Sequence, residues 1–483
     1  MREDWVECSI EELLDYEQPT KYIVDSTDYS DKYSIPVLTA GKSFIKGYTN
    51  EKEGVFENLP TIIFDDFTTT SKFVDFPFKV KSSAMKILIP TCELVNMKFL
   101  YYWMQVNQVR SDTHKRYWIS VYSKKKIQLP SGLEQRAIVS KIEELFSDLE
   151  QGIADLKAAQ GQLKIYRQAV LKKAFEGELT KEWREKQDDL PTAEELLQQI
   201  KEERKKHYEQ QLIDWKEAVK KWGKEGKEGK KPSEPRAKKG INSIDDNEIE
   251  VLPSIPKLWS YFYLAYTGNL GRGKSKHRPR NDSRLFGGDY PFIQTSEVKS
   301  QAIITKYEKS YSEFGLSQSK LWPKGTLCIT IAANIAETGF LGIDACFPDS
   351  IVGFTPFDSI VDKKYINYFF HSAKAKISAY APATAQKNIN LNTLENLVIP
   401  FCSLKEQRQV VNEIESRLSV CDQVEGSIKE SLEKAQGLRQ SILKKAFEGT
   451  LLSEGEIAKC KEAPDYEPAS VLLEKIRKEK KKK

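Results

Sequence analysis

The feature that most constrains this chain is an internal duplication of one helical segment. Residues 134–179, which begin EQRAIVSKIEE and end LKKAFEGEL, align without a gap to residues 406–451, and about 19 of the 46 positions are identical. A repeat of this length indicates that the chain consists of two related halves. With 483 residues, the chain is also too long for one ordinary core and has room for several domains.

Shorter matches extend the duplication on both sides of this segment. The spacing between matched segments drifts slowly, as expected when loops rather than helices or strands change length. The matched pairs are SIPVLT (34–39) with YPFIQT (290–295), Pro90 with Pro356, NMKFLYYWM (96–104) with DKKYINYFF (362–370), Pro130 with Pro400, and LLQQI (196–200) with LLEKI (472–476).

The duplicated segment carries the pattern of a coiled coil. Apolar residues recur at alternating steps of three and four from Val139 to Ala174, and again from Val411 to Ala446. No other segment has a heptad run of this length, so we expect the two helices to pair with each other in antiparallel orientation. A helix of about 38 residues is roughly 57 Å long, which suits a spacer between two domains related by a pseudo-two-fold axis. The polar seam residues are expected to set the register; they are Gln160, Arg167, Glu425 and Arg439.

The remaining segments predict an α+β fold for two globular domains. Residues 1–130 and 251–400 alternate short β-branched and aromatic runs with turn residues, and each contains one helix-like stretch. The full predicted division is a first domain (1–130), a helical region (131–212), a lysine-rich linker (213–250), a second domain (251–400), and a second helical region with a basic tail (401–483). The linker and the tail KIRKEKKKK are either solvated or in contact with an acidic partner.

Composition narrows the class of protein. No run of eighteen apolar residues occurs, and the N-terminal sequence lacks the pattern of a secretory signal, so we expect a cytoplasmic protein. The seven cysteines are scattered and never form C-x-x-C, which fits a reducing compartment. The four histidines show no ligand spacing, and we expect no metal site. The net charge is only +5, so any inference about charged partners must come from local clusters of basic or acidic residues.

One segment satisfies a catalytic motif. GNLGRGKS, residues 268–275, matches the phosphate-loop pattern G-x-x-x-x-G-K-S, with Lys274 and Ser275 in the phosphate and magnesium positions. A phosphate loop must lead directly into a helix, whose N-terminal amides hold the phosphates. Here the next residues are KHRPRND, which lack an apolar period and include a proline. A P-loop NTPase is therefore the weaker alternative.

A second pattern and several absences bear on catalysis. Pro348-Asp349 followed by Asp362-Lys363-Lys364 matches the loose P-D…D-x-K pattern of metal-dependent nucleases, but so short a pattern arises often by chance. The Asp/Asn-Pro-Pro-aromatic motif of amino-methyltransferases, G-x-S-x-G and H-E-x-x-H are all missing. We therefore expect no catalysis by this chain.

The two globular domains, 1–130 and 251–400, are called variable domains below because their sequences differ more than the helices do. Both carry loops rich in basic or hydroxyl side chains, which are suited to binding DNA. Lysine and arginine neutralise phosphates, whereas arginine to guanine and asparagine or glutamine to adenine form paired hydrogen bonds on base edges. Six of the thirteen residues from Arg272 to Arg284 are lysine or arginine, and this density predicts an anionic partner. The predicted DNA-binding residues are Lys42, Ser43, Lys46, Tyr48, Thr68, Thr69, Thr70, Lys72, Arg110, His114, Lys115, Arg116 and Tyr117 in the first domain, and Arg272, Lys274, Ser275, Lys276, His277, Arg278, Arg280, Asn281, Arg284, Thr384, Gln386, Lys387, Asn388 and Asn390 in the second.

The chain resembles the specificity subunit of type I restriction-modification enzymes over nearly its whole length. The most specific marks are the helix starts, Leu129-Pro130 before Glu134-Gln135-Arg136 and Ile399-Pro400 before Glu406-Gln407-Arg408. The paired LKKAFEGxL endings, residues 171–179 and 443–451, are equally specific. The resemblance implies two target-recognition domains that read an asymmetric bipartite site in double-stranded DNA, and no catalysis by this chain.

The resemblance also implies partners. The helices would bind two copies of a methyltransferase subunit that carries S-adenosylmethionine, and the assembly would recruit ATP- and Mg-dependent restriction or translocase subunits. No cofactor is expected on this chain. The residues expected to contact the methyltransferase from exposed helix faces are Glu134, Arg136, Lys172, Lys173, Phe175, Glu406, Arg408, Lys444, Lys445 and Phe447. The remaining alternative is a coiled-coil adaptor that binds no nucleic acid.

Overall fold

The computed structural model describes residues 2–39, 43–109, 117–224, 231–235, 240–241, 244, 246–299, 302–379 and 389–482. The helices and strands of the first half are β1 (Val6–Ser9), α1 (Ile10–Leu13), β2 (Leu14–Glu17), β3 (Ile35–Leu38), β4 (Ile45–Thr49), β5 (Thr61–Asp65), β6 (Ser71–Val74), β7 (Lys79–Val80), β8 (Met85–Pro90), α2 (Met97–Val106), β9 (Lys126–Leu129), α3 (Gly132–Phe175), α4 (Lys181–Arg184) and α5 (Ala193–Lys224).

The second half repeats this order with additions. Its elements are α6 (Asp246–Glu250), β10 (Ser260–Tyr263), β11 (Gly268–Arg272), β12 (Phe286–Phe292), β13 (Ala302–Ile304), β14 (Lys309–Tyr311), α7 (Glu313–Ser317), β15 (Leu321–Trp322), β16 (Leu327–Thr330), β17 (Thr338–Leu341), β18 (Ala345–Cys346), β19 (Ile351–Pro356), α8 (Lys363–Ala379), α9 (Leu391–Glu395), β20 (Val398–Phe401), α10 (Leu404–Phe447), α11 (Glu454–Glu462) and α12 (Ala469–Lys482).

The chain forms two compact units. Unit 1 contains residues 1–159 and 427–483, and unit 2 contains residues 160–426. Each unit therefore includes one variable domain and one end of each long helix. The units are larger than the predicted globular domains because each variable domain shares its core with helical residues. In unit 1, for example, Phe99 and Trp103 of α2 belong to the same buried cluster as Ile142 of α3 and Ile442 of α10.

The sheets of the two variable domains share one topology. Unit 1 has a four-stranded sheet of order β2-β8-β5-β6 and a three-stranded sheet of order β4-β3-β7, in which β3 and β7 are parallel. Unit 2 has the corresponding orders β11-β19-β16-β17 and β14-β12-β18, again with a parallel pair, β12 and β18, and adds β13 and β15 at the sheet edges. The predicted duplication and the α+β class are confirmed.

The two long helices pair in antiparallel orientation within each unit. In unit 2, the guanidinium of Arg167 in α3 lies 2.7 Å from the carboxylate of Asp422 in α10. Thr180, which follows α3, donates its hydroxyl to Glu406 at the start of α10, so the chain directions are opposite. In unit 1, Arg439 of α10 lies 2.7 Å from Glu150 of α3. The two ion pairs are equivalents in the repeat, since 439 − 167 and 422 − 150 both equal 272. Arginines at the seam thus hold the same register in both units, as the heptad pattern predicted.

A further helix packs on the core of each unit. Leu196 and Ile200 of α5 are buried in unit 2, and their repeat equivalents in α12, Leu472 and Ile476, are buried in unit 1. The helix α5 continues to Lys224, so the predicted start of the linker at residue 213 lies inside it.

The basic C-terminal tail is part of the helix α12 rather than a free extension. Arg477 lies 2.7 Å from Glu12, and Lys480 lies 3.5 Å from Asp15, both at the start of the chain in the same unit. The acidic partner predicted as one alternative for this tail is therefore found within unit 1, in Glu12 and Asp15.

Candidate nucleic-acid interface

The segment GNLGRGKS is a strand, not a phosphate loop. Its first five residues form β11, which pairs antiparallel with β19 from Gly268–Pro356 to Arg272–Val352. The residues after Ser275 form bends, and the next helical turn is a short 3₁₀ turn at Ser283–Leu285. No helix N-terminus follows Lys274 to present amides to a phosphate chain. The P-loop alternative is therefore wrong.

The glycines of this segment allow close packing of β-strands and rings. A Cβ on Gly268 would lie 2.5 Å from the Thr355 carbonyl oxygen, and a Cβ on Gly271 would lie 2.6 Å from the indole ring of Trp322. A Cβ on Gly273 would lie 2.2 Å from the carbonyl oxygen of Pro348 and 2.5 Å from that of Phe347. The resemblance to a phosphate motif arises because glycine is needed here for a different reason, the absence of a side chain.

We expect Gly273→Ala to destabilise the chain by about 1–3 kcal/mol, because two backbone carbonyls would have to move to admit the methyl group. The matched control is Gly426→Ala in α10, where nothing lies within 4 Å of the added Cβ. There the better helix propensity of alanine should stabilise by up to about 1 kcal/mol. Urea denaturation measures both, and a Gly273→Ala midpoint at or above wild type would contradict the packing role.

The arginines from Arg272 to Arg284 are largely balanced inside the domain. The side chain of Arg272 donates to the Asp349 carbonyl, and Arg280 donates to both carboxylate oxygens of Asp349 at 3.0 Å. Arg284 lies 2.7 Å from the Asp282 carboxylate, and Arg278 donates to the Ser275 carbonyl at 2.6 Å. The inference that these charges must repel unless an external anion is present is therefore wrong for the arginines, because Asp349 comes from a distant part of the chain.

Asp282 organises the end of this loop. It receives hydrogen bonds from Arg284 and, at 2.7 Å, from His277, and these contacts hold the pKa of its carboxyl well below the usual range, with the Arg284 side chain as the largest cause. The ring of His277 also packs edge-on against Phe314 at 5.2 Å. His277 is therefore a structural residue of the loop as well as a DNA-binding candidate.

The lysines of the loop differ from the arginines. Lys274 and Lys276 are exposed and have no ion-pair partner in the described part of the chain. Ser275 forms a hydrogen bond with the buried Tyr311, and Asn281 is exposed. Among the described candidates of this loop, the two lysines and Asn281 are thus exposed side chains that no ion pair holds.

The nuclease-like pattern has a structural explanation. Asp349 is the partner of Arg280, whereas Asp362 accepts from the backbone N–H of Lys364 at 2.8 Å and of Tyr365 at 3.3 Å, as the N-cap of α8. Among the described residues, no group of three or more His, Cys, Asp or Glu side chains is arranged to hold a metal ion.

The candidates of the first domain surround the turn between β5 and β6. Thr68 and Lys72 lie at least partly at the surface, and the Thr68 hydroxyl donates to Thr70 at 3.0 Å. Ser43 and Lys46 are exposed at the β3–β4 hairpin, where Tyr48 is half-buried. These side chains remain available for contact with a ligand.

Two first-domain candidates are buried instead. Thr69 has no exposed surface; its hydroxyl accepts from the Val109 N–H at 2.9 Å, and its φ of 57° holds the turn. Tyr117 is 6% exposed, and its N–H donates to the Asp66 carbonyl. Both side chains are buried in the domain, so the expectation that they face a ligand is wrong.

Of the second-domain candidates between Thr384 and Asn390, the structure describes only Asn390. Asn390 is exposed, and its side chain accepts from the Thr393 N–H at 2.9 Å as the N-cap of α9. The other loop candidates lie outside the described residues; they are Lys42, Arg110, His114, Lys115, Arg116, Thr384, Gln386, Lys387 and Asn388.

In the Glu-Gln-Arg motif at the start of each long helix, the glutamate and glutamine are buried and the arginine is exposed. Glu406 is 1% exposed and accepts from Arg184 at 2.7 Å and from the Thr180 hydroxyl at 2.8 Å, and its equivalent Glu134 is 2% exposed and lies 3.2 Å from Arg2. The expectation that the two glutamates lie on an exposed helix face is wrong, because each is buried and ties the start of a helix to a partly buried arginine.

The phenylalanines of the LKKAFEG endings are also core residues. Phe175 is 6% exposed and packs edge-on against Tyr365 and Phe369, with ring centroids 5.1 and 5.5 Å away. Phe447 is half-buried and packs against Phe99 at 5.3 Å. The prediction that Phe175 is exposed is therefore wrong. The same prediction for Phe447 is confirmed only in part, because its ring is half-buried.

The remaining candidates for partner contact are exposed in both units. Unit 1 presents Arg136 with Lys444 and Lys445, and unit 2 presents the repeat equivalents, Arg408 with Lys172 and Lys173. In each unit, one arginine comes from the first turns of one long helix and two lysines from the last turns of the other.

No helix in the described ranges is long and apolar enough to cross a membrane.

Comparisons with known proteins agree with this architecture. The chain is 44% identical over 187 residues to the specificity subunit of the type I restriction enzyme EcoR124I/EcoR124II of Escherichia coli, a match that covers 36% of this chain and 45% of the relative. The match to the EcoDI specificity subunit of Escherichia coli is 26% identical over 407 residues and covers 80% of this chain and 77% of the relative.

Two solved structures share the fold. One comes from a structure of complex assembly and conformational transition in the type I R-M system. It matches with a TM-score of 0.59 and 16% identity, over 93% of this chain and 99% of the matched chain. The HsdS subunit from Thermoanaerobacter tengcongensis matches with a TM-score of 0.55 and 16% identity, over 93% and 98%.

The sequence profile of the family described as type I restriction modification DNA specificity domain matches twice, at residues 2–157 and 256–434. Each match contains one variable domain and the first part of the helix that follows it, in agreement with the duplication seen in the sheets. The chain therefore belongs to the family of type I restriction-modification DNA specificity domains.

Proposed function

We propose that this chain is the DNA-recognition subunit of a type I restriction-modification complex, and that it reads a bipartite asymmetric site with one half for each variable domain. The observation that carries the proposal is the duplication itself: two domains of one topology are each followed by one copy of a paired helix, while their loops have diverged. Diverged loops on a common scaffold suit the reading of two different base sequences.

The loops of the second domain would supply both kinds of DNA contact. Lys274 and Lys276 have no ion-pair partner among the described residues and would meet backbone phosphates, whereas Arg280 is held by both oxygens of Asp349 and would present its remaining N–H groups to a base edge. In the first domain, Thr68 and Lys72 at the β5–β6 turn and Lys46 on the neighbouring hairpin would serve the same roles.

The proposed partners are two copies of a methyltransferase subunit, together with restriction or translocase subunits. Two copies are favoured because units 1 and 2 present equivalent sets of one arginine and two lysines at the helix ends. We further propose that the chain is not catalytic, that S-adenosylmethionine, ATP and Mg²⁺ are bound by the partner subunits, and that the complex works in the cytoplasm.

A domain exchange tests the two-reader proposal. Residues 1–130 are replaced by the corresponding domain of a relative with another target, in cells that also carry the methyltransferase subunit, and methylated adenines are mapped across the genome. We expect one half of the methylated sequence to change and the other half to stay. The reciprocal exchange of residues 251–400 is the matched control and should change only the other half.

Two outcomes would contradict the proposal in different ways. If either exchange altered both halves, the chain would not contain two independent readers. If the wild-type complex, with the methyltransferase present, showed no duplex binding that weakens with salt, the coiled-coil adaptor without nucleic acid would be favoured instead.

A further inference from the structure

Three lysines of the second domain lack the partners that the neighbouring arginines have. The arginines of residues 272–284 are bound to Asp349, Asp282 or backbone carbonyls. Lys274 and Lys276 have no carboxylate partner within the described ranges, and the same is true of Lys320, which lies on a different segment between α7 and β15. The uncompensated positive charge of this surface is therefore carried by lysines.

Lys320 is fixed by an aromatic ring rather than by a carboxylate. Its Nζ lies 3.5 Å from the centroid of Trp322, which is within the range of a cation–π contact. Trp322 is itself rigidly placed: it is 4% exposed, stacks on Phe347 at 5.0 Å, and lies against Gly271 and Gly353, where a Cβ would come within 2.8 Å of the ring. A lysine over such a ring still has N–H donors on the side away from the ring for a ligand.

Backbone contacts bring Lys320 next to Lys274. The hydroxyl of Ser319 donates to the Lys274 carbonyl at 2.9 Å, and the N–H of Lys276 donates to the Gln318 carbonyl at 3.2 Å. Burial and the charge of Lys274 lower the pKa of Lys320. The two lysines thus lie on adjoining segments, close enough for the charge of Lys274 to act on Lys320, and no carboxylate of the described chain relieves their repulsion.

We propose that Lys274 and Lys320 together hold one backbone phosphate of the bound DNA. The inference rests on the proposed function and adds to it a residue from outside the basic loop. A phosphodiester anion would accept hydrogen bonds from both ammonium groups and remove the repulsion between them. The contact is independent of base sequence, and it would fix the position of the duplex next to Arg280 and Asn281.

The glycine-rich segment acquires a role in this arrangement. Gly271 allows β11 to pack directly on the Trp322 ring, and Trp322 supports Lys320. The residues that imitate a nucleotide-binding motif would therefore help to bind phosphate after all, but a phosphate of DNA, through side chains, and without a helix N-terminus.

The salt dependence of DNA binding tests the proposal. The complete complex with its methyltransferase subunits is titrated with a nonspecific duplex at graded salt concentrations. The slope of log K against log salt is negative, and each phosphate contact that is lost should make it less steep by about 0.9. We expect Lys320→Ala to make the slope less steep by about that amount and to weaken specific and nonspecific binding by the same factor. Lys320→Arg keeps the charge over the ring and should restore most of the steepness and of the affinity.

A matched control and a double variant make the test specific. Lys363→Ala removes another exposed lysine of unit 2 that lies over a ring, 5.7 Å from Phe340, and should leave the slope unchanged. The double variant Lys274→Ala/Lys320→Ala should lose less than the sum of the single variants, because both side chains hold the same phosphate.

The outcomes separate this inference from the proposed function. A normal wild-type slope that Lys320→Ala leaves unchanged would overturn the phosphate contact and leave DNA recognition intact. Strictly additive losses would overturn the sharing of one phosphate. A wild-type complex without any salt-dependent duplex binding would overturn the proposed function itself.

Discussion

Glu406→Ala is expected to destabilise unit 2 by about 3 kcal/mol, the lower end of the range for breaking a buried ion pair, because it leaves the largely buried Arg184 guanidinium without its counter-charge. Glu406 is 1% exposed, and the Arg184 side chain that donates to it at 2.7 Å is 11% exposed. The remaining contacts of Arg184, to the Gly177 carbonyl at 2.6 Å and the Thr180 hydroxyl at 3.0 Å, carry no negative charge. Urea denaturation followed by circular dichroism measures the loss as a lower midpoint.

The neighbouring residue provides the control for this variant. Lys405 forms an ion pair with Asp189 at 2.9 Å, but both side chains are more than half exposed, so Lys405→Ala should change the stability by less than about 1 kcal/mol. Glu406→Gln keeps an acceptor for the Thr180 hydroxyl and should fall between the two. Equal midpoints for Glu406→Ala and Lys405→Ala would show that the buried pair does not hold the helix start.

Phe175→Ala is expected to cost about 3–5 kcal/mol, the usual range for removal of a buried phenylalanine. The ring belongs to the core cluster of unit 2 and makes edge-to-face contacts with Tyr365 and Phe369 of α8, each of which contributes beyond simple burial. The variant should therefore unfold at a lower urea concentration even in the absence of any partner subunit.

The control separates a core role from a role in partner binding. Lys173 is exposed two residues earlier and makes only a 3.4 Å ion pair with Glu178, so Lys173→Ala should leave the midpoint within about 0.5 kcal/mol of wild type. Under the proposed function, it should instead weaken binding of the methyltransferase subunit. A Phe175→Ala protein of wild-type stability with impaired partner binding would reinstate the surface role first expected of this residue.

The helices and the repeat were predictable because their signals are periodic. Three of the matches used to extend the duplication fall on equivalent elements: 34–39 and 290–295 on β3 and β12, 96–104 and 362–370 on α2 and α8, and 196–200 and 472–476 on α5 and α12. The seam arginines, Arg167 and Arg439, were identified as residues that set the register, and both form interhelical ion pairs.

The candidate site was less predictable, since the same residue type serves opposite roles. Within one Glu-Gln-Arg motif, Glu406 is internal and Arg408 is exposed, although both are charged. Thr68 and Thr69 are neighbours in the sequence, yet only Thr68 reaches the surface. Lys320 was missed because it lies 46 positions from Lys274, and no local pattern connects the two residues.

The sequence alone determined the duplication, the α+β class, the antiparallel helix pair and the family, because apolar periodicity and repeated motifs are properties of the order of residues. Only the tertiary structure decided which charges are already balanced. Asp349 and Trp322 contact the basic loop from segments distant in the sequence, and Arg184 contacts Glu406 where two helix ends meet. Electrostatic partners are chosen by distance in space, so they remain hidden until the chain has folded.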